Sequence, residues 1–165
     1  MGNDEILMPN QLIIGEQRYA EAINLVLASA QHELLIFGQD LSHGDFSSPQ
    51  KYVLLQQFLN KNPSSYLTII LQHTRFLLEK FPQLLSLLAT YKHKMIVYVT
   101  NQSAKHEKDC FILADKQNYI KRILIDQARF KYGLNDLAST SLLNIRFKEL
   151  LNATHDVVAI SKFGL

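Results

Sequence analysis

The chain has 165 residues, 47% of them hydrophobic, which is enough for one buried core and too short for two ordinary domains. Its net charge of +2 is not the large excess of cations that nucleic-acid-binding proteins carry. Its single cysteine excludes an internal disulfide. No apolar run reaches the ~18 residues of a membrane span, and no Cys and His cluster has zinc-ligand spacing. We therefore expect a cytoplasmic protein without metal or other cofactor, and we do not expect a nucleic-acid partner.

The first hundred residues alternate between predicted helices and strands. We expect a flexible tail over residues 1–11 and one domain over residues 12–165. Residues with helical or strand periodicity then follow in this order: an edge strand at 12–14, helix Glu16–Gln31, strand Glu33–Gly38, helix Pro49–Asn60, strand Tyr66–Leu71, a helix over about 74–91, and strand Lys94–Thr100. Pro82 is expected to kink or split the helix in which it lies.

The second half begins with a predicted hairpin. Cys110–Ala114 is a continuous apolar run that is typical of a strand buried on both faces, and Tyr119–Ile125 resumes after a polar turn. Residues 126–134 are either irregular or a short extra strand. Asn135 or Asp136 is expected to cap a helix through about residue 152, and the final residues form a short helix or an edge strand. Strands separated by helices and then a hairpin predict an α/β sandwich with a mixed sheet flanked by helices.

The hairpin also carries a family resemblance. His106-Glu107-Lys108 is followed by an apolar strand that ends at Asp115, and this order resembles the core motif of the phospholipase D superfamily. That motif reads His-x-Lys, four residues, Asp, six residues and Gly-Ser-x-x-Asn. In the family the histidine is the nucleophile, and the lysine, serine and asparagine hold the phosphoryl oxygens. The resemblance implies a phospholipase D-like fold over nearly the whole chain.

Neither alignment of the hairpin with this motif restores the catalytic set. When His106 and Lys108 are matched to His-x-Lys, Leu113 stands where the aspartate belongs. When Asp115 is matched to the aspartate, Lys108 and Cys110 replace the histidine and lysine, and Arg122-Ile123 replaces Gly-Ser. The chain is therefore identified as a degenerate, single-half member. The resemblance further implies a homodimer, because single-half members pair across the active-site face.

A ligand site is expected where the parallel strands end, since open α/β sheets bind ligands beyond the carboxyl ends of their strands. The candidate ligand-binding residues are Gln39, Asp40, Asp115, Arg122, Asp126 and Arg129. Two arginines in one cleft would suit a phosphate group, because guanidinium groups match its oxygens. The structural alternative, which we favour, is that both arginines pair with Asp115, Asp126 or Glu149 and only fix the loop.

Two functions remain open at this point. The first is a non-catalytic binding or assembly module, with a phosphate-containing ligand as the expected small partner. The second is a divergent phosphodiesterase or nuclease that uses His106 as nucleophile with Lys108 supplying charge. The highly charged segment KHEKD, residues 105–109, is equally typical of a solvent-exposed loop. We therefore assign no catalytic residue and favour the first function. His106 and Lys108 remain the only catalytic candidates.

Overall fold

The chain folds as a mixed eight-stranded sheet with helices on both faces. The structure is a computed structural model that describes residues 7–101 and 107–158, without the side chains of residues 155 and 156. The strands are β1 Ile13–Ile14, β2 Glu33–Gly38, β3 Tyr66–Leu71, β4 Met95–Thr100, β5 Cys110–Ala114, β6 Asn118–Leu124, β7 Gln127–Gly133 and β8 Thr154–Val157. The helices are α1 Glu16–Ser29, α2 Pro49–Leu59, α3 Arg75–Lys80, α4 Pro82–Thr90 and α5 Leu137–Asn152. This confirms the predicted α/β class with a mixed sheet.

The sheet has a parallel centre and antiparallel edges. Its strand order is β1-β7-β6-β5-β2-β3-β4-β8, in which β2, β3 and β4 are parallel and every other pairing is antiparallel. Since β6 runs antiparallel to β5, and β5 antiparallel to β2, β6 ends at the same edge of the sheet as β2 and β3. We call this the carboxyl edge.

Each face of the sheet has its own core. On one face, which we call face A, the inward residues of β2–β7 pack against α1, α2, α3 and α4. On the other, face B, Leu35, Phe37, Phe111 and Leu113 pack against Leu143, Phe147 and Leu150 of α5. Successive strand residues point to opposite faces, and this alternation divides the continuous apolar runs of β2, β3 and β5 between the two cores.

Local sequence explains where α2, α4 and α5 begin. Ser48 caps α2 by accepting a hydrogen bond from the Lys51 backbone N–H, and Asp136 caps α5 by accepting one from Ser139. Pro82 opens α4 and separates it from α3, as predicted, because proline suits the first turn of a helix and not its interior.

The structure assigns several segments that the sequence leaves open. The segment after β6 is a full strand, β7, and the last described residues form the edge strand β8. Within the predicted tail, Asn10 donates a backbone hydrogen bond to the Tyr132 carbonyl, and the Leu7 carbonyl accepts one from the Tyr132 hydroxyl. Ile96, whose place in an apolar strand predicts full burial, is only partly buried.

Over residues 7–101 and 107–158, no helix combines the length and the apolar character that crossing a bilayer requires. In the same part of the chain, His, Cys, Asp and Glu side chains form no group of three that could hold a metal ion.

Candidate functional site

The carboxyl edge carries a buried polar cluster built from α1, β5 and β6. Cys110 opens β5 and lies opposite Arg122 of β6 in the antiparallel register. Both side chains point into face A, where α1 covers them. The Arg122 side chain is fully buried, and its two terminal nitrogens donate to the two carboxylate oxygens of Glu16 at 2.8 Å each. This bidentate geometry is the strongest arrangement that an arginine makes with a carboxylate.

Tyr19 completes this cluster. Its ring lies beneath the guanidinium of Arg122, with 4.9 Å from Cζ to the ring centroid, and its hydroxyl is 3.2 Å from Sγ of Cys110. The aromatic face partly compensates the buried positive charge. Glu16 is 58% exposed, so the ion pair joins a buried cation to a carboxylate at the surface. His43 lies beside it, with Nδ1 3.8 Å from Oε2 of Glu16.

The protonation states in this cluster follow from burial and pairing. The hydrogen bond from Arg122 lowers the pKa of Glu16, so the carboxylate is charged at neutral pH. Burial opposes the charge of Arg122, but the hydrogen bond and attraction of Glu16 outweigh it and raise the Arg122 pKa. Burial raises the pKa of Cys110 to about 11 and that of Tyr19 well above its usual value. Cys110 is therefore a thiol and not a thiolate at neutral pH.

Little space is left next to the cluster. A cavity of about 20 Å³ lies between Tyr19, Cys110, Gln39, His43 and Ile125. That volume admits about one water molecule. A shallower depression of about 450 Å³ lies outside it, between the start of α1 and the loop that carries His43, Gly44 and Asp45.

Gln39 and Asp40 lie at the carboxyl edge, as expected from their position after β2. The Gln39 carbonyl accepts backbone hydrogen bonds from Gln72 and His73, so it links the ends of β2 and β3. The Asp40 carboxylate accepts bonds from the backbone N–H and the hydroxyl of Ser42. Both residues thus shape the loop above the cavity.

Asp115 lies at the opposite edge of the sheet. It follows β5, which runs antiparallel to β2, and its carboxylate accepts backbone N–H bonds from Gln31, His32 and Glu33 at 2.8, 2.8 and 2.9 Å. Its positive φ of 56° suits a tight turn, where aspartate is among the residues that tolerate this conformation. The structure does not bring Asp115 to the residues at the carboxyl edge.

The two arginines of the predicted cleft lie on opposite faces of the sheet. Arg122 points into face A, whereas Arg129 is exposed on face B, since its neighbour Phe130 is buried on face A against Tyr19. Asp126 is exposed in the turn between β6 and β7. The sheet therefore separates the two arginines, and the partner of Arg122 is Glu16 and none of the three acidic residues considered from the sequence.

His106 lies outside the described residues. Lys108, two positions later, is exposed in the segment that leads into β5. The Gln72 side chain holds this segment by donating to the Glu107 carbonyl at 2.9 Å.

A second charged cluster on face B was not anticipated from the sequence. One terminal nitrogen of Arg146 in α5 donates to Glu107 and to Asp109, each at 2.6 Å, and Lys121 lies 3.7 Å from Asp109. With Lys108 these residues line an open depression of about 320 Å³. The network fixes the entrance to β5 against α5.

Comparison with solved structures defines the class of the fold as phospholipase D-like. Nuc from Salmonella typhimurium, a phospholipase D family member, aligns over 88% of this chain and 97% of its own with a TM-score of 0.61 and 9% identity. NucT from Helicobacter pylori aligns over 87% of this chain and 96% of its own, with a TM-score of 0.55 and 12% identity. The archaeal chromatin protein TrmBL2, described as showing a novel mode of DNA binding, aligns over 88% of this chain at a TM-score of 0.65 and 12% identity. This chain spans 52% of the length of TrmBL2.

The family itself is shown by sequence. A model described as a domain of unknown function, DUF7931, matches residues 15–159, and the chain therefore belongs to that family. A search of curated proteins gave no match. At 9–12% identity, the structural likenesses show the fold alone.

Proposed function

We propose that this chain is a non-catalytic phospholipase D-like module that acts in binding or assembly. The observation that carries the proposal is the closed cluster at the carboxyl edge. When Asp115 is aligned with the family's aspartate, Cys110 stands at the position of the lysine and Arg122 at the glycine of the phosphate-binding Gly-Ser pair. Both side chains are buried and engaged by Tyr19 and Glu16.

Three properties of this cluster argue against phosphoryl transfer there. Cys110 keeps its proton at neutral pH, so it supplies neither a positive charge nor an anionic nucleophile. The donors of Arg122, which would stabilise a developing phosphoryl anion, already hold a carboxylate. The neighbouring cavity of about 20 Å³ takes a water molecule and not a phosphodiester.

Hydrolysis of bis-(p-nitrophenyl) phosphate by the purified chain tests this proposal against the alternative of a divergent phosphodiesterase. We expect no turnover above background, with or without EDTA. The matched variants are His106→Ala and Lys108→Ala. Cleavage that survives EDTA and disappears in His106→Ala would establish the alternative. Cleavage that is equal in all three proteins would indicate a contaminant.

We further propose that a phosphate-containing ligand reaches Arg122 only by replacing Glu16. A phosphate group presents two oxygens to a guanidinium much as a carboxylate does, so the two compete for the same donors. Removing the resident carboxylate should therefore expose an anion site. In Glu16→Gln, millimolar sulfate should raise the melting temperature more than it does in the wild-type chain.

The matched control for the sulfate experiment is Glu21→Gln, because Glu21 is an exposed carboxylate on the same helix. It removes the same charge at a position away from Arg122. Equal sulfate shifts in Glu16→Gln and Glu21→Gln would refute an anion site at Arg122 and leave the resident ion pair with a purely structural role.

A further inference from the structure

Two lysines and an arginine share the part of face B that lies beside α5. The helix packs on β4, β5 and β6 of this face, so β7 lies next to the helix. Lys121 of β6 and Lys131 of β7 are directly opposite each other in the antiparallel register. Arg129 is exposed two positions before Lys131, on the same side of β7. Three cations therefore stand close together on one side of two neighbouring strands.

The spacing of these cations lets them act on one anion. Residues opposite each other in an antiparallel pair have Cβ atoms about 4.5–5.5 Å apart, and residues two positions apart in a strand are about 7 Å apart. Like charges in directly opposite positions destabilise a sheet, so the pairing of Lys121 with Lys131 is by itself unfavourable for folding. An anion bound between the two ammonium groups would remove this repulsion.

The acidic side chains nearest to the two lysines have other partners. Asp109 lies 3.7 Å from Nζ of Lys121, and it also accepts a hydrogen bond of 2.6 Å from Arg146. Lys131 attracts the carboxylate of Asp136, but that carboxylate already accepts the hydrogen bonds that cap α5. Each ammonium group has three donors. Both lysines therefore retain donors for a ligand.

An apolar recess adjoins the two lysines. It has a volume of about 200 Å³ and lies between α5 and the strands β6 and β7. Its lining includes the apolar side chains of Tyr119, Ile123, Leu142 and Leu143 and the two cations Lys121 and Lys131. Leu142 is 70% exposed, so its side chain stands at the rim, where a ligand would cover it.

The floor of this recess is fixed by the fold. Tyr119 is buried and packs with Leu143 in the core of face B. Its ring lies close to Gly133, the residue opposite it in β7, where a Cβ atom would come within 2.7 Å of Cε1 of the ring. Glycine at this position leaves space for the ring. The apolar floor is therefore formed by the chain itself, as is usual for small-molecule sites.

We propose that the recess binds a small amphiphilic anion, which carries one carboxylate or phosphate group on a compact apolar body. The anionic group lies between Lys121 and Lys131, with Arg129 on its outer side, and the body covers Leu142 and Leu143. Pockets for drug-sized ligands measure about 300–1,000 Å³, so a recess of about 200 Å³ suits a smaller molecule.

The lining distinguishes this ligand from a nucleic-acid strand. Single-stranded nucleic acids stack their bases on exposed aromatic rings, and Tyr119, the aromatic residue of the recess, is buried. The proposal rests on the binding role proposed above and gives it a site of its own. That site is separated by the sheet from Arg122, which points into face A.

Protein-observed NMR titrations of the full chain with four probes test the proposal. Hexyl phosphate or hexanoate should bind with a dissociation constant on the order of 0.1–1 mM, as expected for about ten non-hydrogen atoms. Inorganic phosphate lacks the apolar body and 1-hexanol lacks the charge, so each should bind at least ~10-fold more weakly. The shifted resonances should map to β6, β7 and α5, and the tighter of the two amphiphilic anions identifies the head group.

Substitutions separate the contribution of the charge from that of the apolar body. Lys131→Gln should weaken the binding of hexyl phosphate and inorganic phosphate alike, by at least ~5-fold, whereas Lys131→Arg should retain it. Leu142→Ser should weaken the binding of hexyl phosphate about 3-fold and leave that of inorganic phosphate unchanged. Lys148→Gln and Leu137→Ser are matched controls, because both residues are exposed on α5 outside the recess.

Circular dichroism verifies the fold of each variant. Equal affinities for hexyl phosphate and inorganic phosphate would overturn the proposal, as would binding that survives both Lys131→Gln and Leu142→Ser. A thymidine oligonucleotide that displaces hexyl phosphate and binds more tightly would also overturn it, in favour of a polyanion surface. Hydrolysis of bis-(p-nitrophenyl) phosphate by a chain with the expected binding pattern would overturn only the proposed lack of catalysis. A chain that shows neither hydrolysis nor binding would overturn only this site.

Discussion

Replacing Glu16 by glutamine isolates the energetic role of the ion pair at the carboxyl edge. The substitution keeps the size of the side chain and one oxygen acceptor but removes the charge that faces the buried guanidinium of Arg122. Breaking a buried ion pair by removing one partner costs about 3–5 kcal/mol. Glu16 is 58% exposed, so water can approach the vacated position, and glutamine retains one hydrogen bond. We therefore expect a loss of about 2 kcal/mol in the free energy of unfolding.

Urea-induced unfolding at pH 7 measures this loss directly. For a chain of this size, about 2 kcal/mol corresponds to a decrease of about 4–8 °C in melting temperature. Glu21→Gln is again the control and should change the unfolding free energy by less than about 0.5 kcal/mol, as expected of an exposed site. If Glu16→Gln is as stable as that control, the charge of Arg122 is not balanced by Glu16 and the reasoning fails.

The pH dependence provides a second check on the same pair. Arg122 lowers the folded-state pKa of Glu16 below its ordinary value of 4.5. A depressed carboxylate pKa contributes stability above the unfolded value, and this contribution is lost as the pH falls through the folded value. The difference in stability between the wild-type chain and Glu16→Gln should thus stay constant from neutral pH to about 5 and shrink below about 4.5. A difference that persists unchanged to pH 3 would contradict the ion-pair assignment.

Three further predictions concern the core and the turns. Asp115→Ala should lower the unfolding free energy by about 2 kcal/mol in urea titrations, because three backbone N–H groups lose their acceptor. Cys110 should resist Ellman's reagent at pH 8 until the chain is unfolded, since the thiol is buried and protonated. Ile69→Ala should cost about 2–5 kcal/mol by the same titration, and Ile96→Ala clearly less, because only Ile69 is fully buried.

The central strands could be predicted because their signal is local. Glu33–Gly38 and Tyr66–Leu71 are short apolar runs bounded by polar residues, and the structure has both strands at those bounds. The strand β7 is ambiguous in the sequence because Gln127–Gly133 mixes charged and aromatic residues. Its strand conformation is fixed by pairing with β6 on one side and β1 on the other, which no local pattern reports.

The buried cluster could not be assembled from the sequence because its members lie far apart in the chain. Glu16 and Arg122 are separated by 106 positions, and nothing near Glu16 distinguishes it from other acidic residues on exposed helix surfaces. One signal is present in β6. Ile120 and Arg122 share a face of the strand by alternation, so an apolar inward position is followed by a cation on the same face. Buried charges are normally paired, so this pattern indicates that Arg122 needs an acidic partner, but it does not say which one.

The resemblance of the hairpin to the phospholipase D motif has a structural explanation at Asp115. In this chain its carboxylate closes the turn after β5 by accepting three backbone N–H groups from the segment that enters β2. An aspartate at the end of this strand therefore has a structural role at the edge opposite to Cys110 and Arg122. The residue on which this alignment rests is thus one that the sheet itself needs, so the resemblance is a guide to the fold.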